Sequence, residues 1–170
     1  MNEREREIVE LIPRLRRYAR ALTGSVDRAD DLVQDCLERA LGRLHLWRSG
    51  SNMRAWLFAI LHNRFVNDVR RARTRPDQES LPDWQAGGSV RAMQDDVVML
   101  RAVLAGLRRL PDDQRAALLL IGLEDMSYRD AAEVLKVPIG TLMSRLARGR
   151  ERLREFSGLN AAEGGGRRAP

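Results

Sequence analysis

Apolar residues recur at spacings of three and four almost from one end of this chain to the other, and no stretch alternates at period two. That pattern excludes sheet as the organising element and predicts an all-α fold. The chain's 170 residues suffice for one or two small domains with buried cores. A first stripe of Ile8, Leu11, Ile12, Leu15, Tyr18, Ala19 and Leu22 ends at Gly24, well placed for a C-terminal cap. Pro13 lies within it and is expected to kink the helix or to begin its main segment. A second helix is expected to open at Asp27 as N-cap, with Leu32, Val33, Cys36, Leu37, Ala40, Leu41 and Leu44 on one face. After a polar break at 48–52, a third carries Met53, Trp56, Leu57, Ile60, Leu61, Phe65 and Val69.

Periodicity is lost from 74 to 93, where Pro76, Pro82, Gly87 and Gly88 collect. This segment reads as a flexible linker able to span up to roughly 70 Å when extended, so flanking domains need not touch. Trp84 within it has no assigned role. The expected organisation is a three-helix domain over 8–73, the linker over 74–93, a second helical domain over 94–157 and a disordered tail over 158–170. In the second domain Val97, Leu100, Val103, Leu104 and Leu107 precede a break at Leu110-Pro111. The run from Ala116 to Leu123 is apolar nearly all round and is expected to be buried.

The most informative stretch is SYRDAAEVLKVPIGTLMSRLARGRERLR, starting at Ser127. Ser127 and Asp130 suit the start of a short helix, the tripeptide Lys136-Val137-Pro138 a turn, and Ile139-Gly140 the start of a longer helix. That longer helix should hold Ile139, Leu142, Leu146 and Leu153 inward and Thr141, Ser144, Arg145, Arg148 and Arg152 outward. Two helices, a tight turn and an Arg-rich outer face make a helix-turn-helix. Such a helix fits the major groove, where Arg bonds guanine bidentately and Ser or Thr reach bases or phosphates.

Charge is polarised in both domains. Residues 145–154 hold five Arg and one Glu, whereas 112–133 hold six acids and two Arg. Residues 64–75 hold five Arg and one Asp, and 27–38 hold five acids and one Arg. Asp31, Asp35 and Glu38 share the face opposite the apolar stripe, with Gln34 beside them, and read equally as a docking face or as solvated surface. The formal net charge is +6, which suits a polyanionic partner. Of the 30 basic residues 29 are Arg, a bias that codon usage explains as well as phosphate recognition does.

Other classes are excluded. No run reaches the length of a membrane span, and MNEREREIVE lacks the apolar core of a signal peptide, so a cytoplasmic protein without membrane insertion is expected. Cys36 has no disulfide partner, and with only His45 and His62 beside it there is no zinc ligand set. The two histidines are expected to be structural or exposed. No nucleophile with its base and no phosphate-binding Gly loop is present. Neither an enzyme, nor a cofactor, nor a small-molecule substrate is expected.

The stretches PRLRRYARALTG, DRADDLVQDCLERAL, MRAWLFAILHNRFVNDVRR and LPDDQRAALLLIGLEDMSYRDAAEVLKVPIGTLMSRLARGRERL, in this order, resemble the extracytoplasmic-function group of the bacterial sigma-70 family. The resemblance runs from about Ile8 to Phe156. It implies a region-2-like and a region-4-like domain and a subunit that gives core RNA polymerase its promoter specificity. It also implies docking on the coiled coil of the polymerase's largest subunit through Asp31, Gln34, Asp35 and Glu38. The minus-10 element would be opened and read by Asn63 and Asn67, with Arg64, Arg70 and Arg71 on strand phosphates and Ser49, Gly50, Ser51 and Asn52 forming a base pocket. Trp56, by its helical spacing, belongs to the core rather than to base stacking. Thr141, Ser144, Arg145 and Arg148 would read the minus-35 element, with Arg129 on phosphate. One departure is Lys136, where the family turn commonly has Gly. The implied partners are core RNA polymerase, promoter DNA and an anti-sigma factor. Two other readings of the residues are a stand-alone helix-turn-helix regulator and a regulatory adapter protein.

Overall fold

The computed structural model describes residues 2–48, 50–74 and 94–157, and among them every regular element is helical. Helix α1 (Glu3–Thr23) starts at a capping box in which Asn2 Oδ1 accepts from the Glu5 backbone and the Glu5 carboxylate accepts from Asn2 N–H. Because that box fixes the start, Pro13 lies inside the helix instead of beginning a segment. The helix closes on Gly24 at φ 70°, a left-handed cap that glycine adopts without steric cost.

Helix α2 (Val26–Arg43) is capped by Ser25 and not, as its sequence suggested, by Asp27. The Ser25 hydroxyl accepts from Arg28 N–H, and Asp27 instead places its charge in the first turn, where the helix dipole favours it. A 3-10 turn (Leu44–Leu46) follows, and α3 (Met53–Thr74) begins under Asn52, whose Oδ1 accepts from Ala55 N–H.

These three helices enclose Leu15, Tyr18, Leu22, Leu32, Cys36, Leu57, Phe58 and Leu61. The Tyr18 and Phe58 rings meet at 5.2 Å in a tilted pair. The Cys36 thiol donates to the Leu57 carbonyl, and burial pushes its pKa up to about 12, which makes it an inert core residue. Trp56 is half-buried against the same core, whereas Leu41 is 53% exposed because the stripe has turned out of the seam by the last turn of α2. His62 is buried and His45 exposed.

In the second domain α4 (Gln94–Arg109) packs on α7 (Ile139–Ser157), and α5 (Asp112–Leu118) follows the break at Leu110-Pro111. At residue 149 α7 approaches so closely that an added Cβ would lie 3.0 Å from Leu118 Cδ1. The apolar run after α5 is not buried all round. It widens into a π turn (Leu119–Leu123) whose backbone bonds step back by five residues at Glu124 N–H. This rotation keeps Leu119 and Leu120 inside, leaves Gly122 and Leu123 exposed and turns Glu124 inward.

Helix α6 (Tyr128–Leu135) is capped by Ser127, whose hydroxyl accepts from Asp130 N–H. It ends at Lys136 in the left-handed region, φ 54° and ψ 46°, with the Lys136 N–H donating to Ala132 and Glu133 carbonyls. Leu142 and Leu146 then anchor α7. Ile139, expected inward, is 47% exposed, because it stands directly after Pro138 before a full turn of α7 has formed.

The Lys136 conformation costs about 1 kcal/mol in a residue with a Cβ. Lys136→Gly relieves that cost but gives the unfolded chain about 0.5 kcal/mol more entropy to lose, so a net stabilisation of about 0.5 kcal/mol is expected, which a denaturant midpoint measures.

Candidate nucleic-acid interface

The spacing of Thr141, Ser144, Arg145 and Arg148 puts them on one face of α7. Thr141, Ser144 and Arg148 are exposed, while Arg145 is half-buried with its Nε 3.4 Å from Asp113 Oδ2. Arg129 projects from α6, 83% exposed, with Glu133 at 3.7 Å. The helix-turn-helix thus presents its expected readers on a common outer surface, apart from Arg145, which leans towards α5.

The loop before α3 makes a tight turn: Gly50 adopts φ 88°, and the Ser51 hydroxyl donates to the Arg48 carbonyl at 2.7 Å. Ser49 lies outside the described residues, as does Trp84. Asn67, Arg70 and Arg71 are exposed along α3 and Asn63 is half-buried. Arg64 is engaged, its Nε 2.8 Å from Asp35 and 3.3 Å from Asp68. On α2 the Asp31, Gln34 and Glu38 side chains are exposed, Gln34 donating to Glu38 at 3.0 Å, and Asp35 is the member turned towards α3. Asp35 and Arg64, assigned to different partners by the resemblance, are thereby joined to each other.

The linker left open whether the domains touch, and the structure closes them. Helix α3 packs against α6, and α1 against the π turn and α5. Asn52 Nδ2 donates to Asp130 Oδ2 at 3.1 Å across the seam, and Arg73 pairs with Asp112 at 3.6 Å. The His62 imidazole, within 3.4 Å of the Tyr18 hydroxyl, has its pKa lowered to about 4, mainly by burial and then by the positive charge of Arg145, with Asp112 opposing. Side chains assigned to the two promoter elements, Asn52 and Arg145, therefore both lie at this seam.

At its centre is a group that no pattern in the sequence singles out. The Glu124 side chain is fully buried, yet it meets three guanidinium groups from the first domain. Arg17 grips Oε1 with Nη2 at 2.9 Å and Nε at 3.0 Å, while Arg14 and Arg54 lie 3.5 and 3.9 Å from Oε2. Arg54 also donates to the Glu124 backbone carbonyl. Burial, followed by the nearby Arg14 charge, lowers the Arg54 pKa, and Glu124 opposes the shift.

Two helical domains, the second a helix-turn-helix with an Arg-bearing outer face, define the class of helical DNA-binding transcription factors. A family model described as the Sigma2 domain of PhyR matches residues 8–62, and one described as sigma-70 region 4 matches 100–153. The chain is 38% identical over 159 residues to the ECF RNA polymerase sigma factor EcfG of Rhodopseudomonas palustris, covering 92% of this chain and 86% of that one. It is 37% identical to a probable RNA polymerase sigma-C factor of Mycobacterium bovis, over 78% of this chain and 72% of the relative. Among solved structures, the sigma factor RpoE of Bartonella quintana, in complex with the anti-sigma factor NepR, superposes with a TM-score of 0.74 at 37% identity, covering 89% of this chain and 94% of that one.

The chain belongs to the extracytoplasmic-function group of RNA polymerase sigma factors. Sigma factors of this kind direct transcription initiation and are not enzymes. Among the described residues no helix is long and apolar enough to cross a membrane.

Proposed function

We propose that this sigma factor works in the cytoplasm by lending core RNA polymerase two separate DNA contacts, one from each domain. The units are 8–73 for polymerase docking and the minus-10 element, 94–157 for the minus-35 element, and 74–93 as their connector. Asp31, Gln34, Asp35 and Glu38 dock on polymerase. Asn63 and Asn67 read melted minus-10 bases, with the loop 49–52 as a pocket and Arg64, Arg70 and Arg71 along the strand. Thr141, Ser144, Arg145 and Arg148 read the minus-35 duplex, with Arg129 at its edge.

The observation that carries this reading is the α6–α7 pair. Its Ser127 cap, left-handed Lys136 turn and outward Thr141, Ser144 and Arg148 suit major-groove reading, on a chain that matches sigma factors along nearly its whole length. The mechanism is recognition: duplex binding upstream positions the complex, and capture of unstacked bases downstream shifts the closed-to-open equilibrium. The similarity to a sigma factor solved with NepR supports an anti-sigma partner of that kind.

Run-off transcription from a genomic-fragment library with purified bacterial core polymerase tests the reading. New start sites that need both the polymerase and this protein are expected, and they deliver the promoter motif. Operator binding by the protein alone, with no gain of initiation by polymerase, would instead identify a stand-alone regulator.

A further inference from the structure

The charges at the Glu124 seam are divided between the domains. Three guanidinium groups from the first domain converge on the Glu124 carboxylate, and the other acids acting on Arg54, Asp125 and Asp130, also belong to the second domain, so all the negative charge named here comes from one side of the seam. Glu124 Oε2 is buried without a hydrogen bond and is held by ion-pair contacts alone. A buried charge is tolerated only with its partners in place, so Glu124 depends on closure. The converse also holds. If the domains part, Arg14, Arg17 and Arg54 remain converged on the first domain with nothing between them, and like charges at such range call for an anion.

The location of that cluster indicates which anion. Arg54 lies in the first turn of α3, two positions beyond Asn52, whose own side chain is tied to Asp130 by the same closure. Parting the domains thus frees the loop assigned to the minus-10 strand and empties the Arg cluster beside it in one step. A backbone phosphate in a nucleic acid offers what the Glu124 carboxylate offers: a single negative charge shared by two oxygens that a guanidinium fork can grip in parallel.

We propose that Arg14, Arg17 and Arg54 form one anion socket with two successive occupants, the Glu124 carboxylate when the domains are closed and a phosphate of the melted minus-10 strand when they are apart. Glu124 is then a built-in competitor of promoter DNA. The proposal rests on the sigma-factor reading of the first domain, and it adds a strand contact on α1 and at the start of α3.

The closed form must open before the two domains reach elements roughly two helical turns apart. Latch and socket therefore separate experimentally. Glu124→Gln, an isosteric change, removes the charge that holds the domains and should tighten assembly with core polymerase by about tenfold, as expected when a closed state no longer competes. The pair Arg14→Ala with Arg17→Ala also opens the latch, so core binding should hold or improve. Yet the resulting holoenzyme should bind a fork-junction probe, made from a promoter recovered in the run-off assay, about tenfold more weakly. Its salt dependence should also flatten by about 0.7 in log–log slope for each single-strand phosphate lost.

A probe with a neutral methylphosphonate at the contacted linkage should bind wild-type and double-variant holoenzymes alike. A misfolded variant would lose core binding and strand binding together, so opposite changes in the two cannot come from unfolding. Unchanged strand affinity and salt slope in the double variant would overturn the socket while leaving the sigma reading intact. Weakened core binding with unchanged strand binding would reassign the cluster to a polymerase acid and overturn it too. If wild-type protein gives no polymerase-dependent initiation, the sigma reading fails and the socket falls with it.

Discussion

Arg145→Ala combined with Arg148→Ala is expected to reduce initiation from a promoter with an intact minus-35 element by ten- to hundredfold while sparing assembly with core polymerase. An Arg bidentate to a base is worth about 1–3 kcal/mol, and the two stand on one face of α7, three residues apart. Arg148 is exposed, and the Arg145 contact with Asp113 is a partly exposed ion pair. Losing such a pair costs at most about 1 kcal/mol of stability, so the variant should fold. Asp31→Ala with Asp35→Ala should do the reverse, weakening polymerase assembly about tenfold or more with little change in how a given amount of holoenzyme prefers intact over scrambled minus-35 DNA.

Asp35 adds a detail to the second pair. It is ion-paired with Arg64, so its removal also releases Arg64 from one of its two carboxylates. If Arg64 contacts the strand, this release should partly offset the loss in holoenzyme that does assemble. Co-elution with core polymerase and run-off yield on paired templates, measured for wild type and both double variants, separate the two activities. Equal loss of both activities in both double variants would count against the division of labour between α2 and α7.

What was legible in the sequence follows from how local each signal is. Helix periodicity, the Ser127 cap and the turn at Lys136 are set within a few residues, and each appears where the pattern placed it. The cap of α2 shows the limit, because Ser25 and Asp27 are both competent and only the actual geometry selects the hydroxyl. Ile139 and Leu41 fit an apolar period, but they fall at helix ends where no partner covers them. Glu124 was not legible at all. It stands in an ordinary acidic loop, and its burial is decided by arginines on α1 and α3, more than sixty residues away in sequence. The seam is a property of two domains meeting, and neither domain's own periodicity encodes it.

The same seam predicts a dependence on acid. In the folded chain His62 has a pKa near 4, against 6.5 for a free imidazole. Burial is the largest cause, and the Arg145 charge from the second domain adds to it. Between pH 6.5 and 4 the unfolded chain therefore takes up a proton that the folded chain refuses. Stability contributed by neutral His62 is full above pH 6.5 and is lost as pH falls through that window, at about 1.4 kcal/mol per unit and about 3 kcal/mol in all. His62→Leu removes this proton from the balance. Carboxylates titrate over part of the same range, so the measurement is the difference between the two proteins: urea midpoints taken from pH 7 to pH 4 should fall more steeply for wild type than for the variant. Parallel slopes would show that His62 takes up its proton in the folded protein as readily as in the unfolded one. Arg145→Ala gives a second check on the cause, since removing that positive charge should raise the His62 pKa and give a slope shallower than wild type's without touching the first domain's sequence.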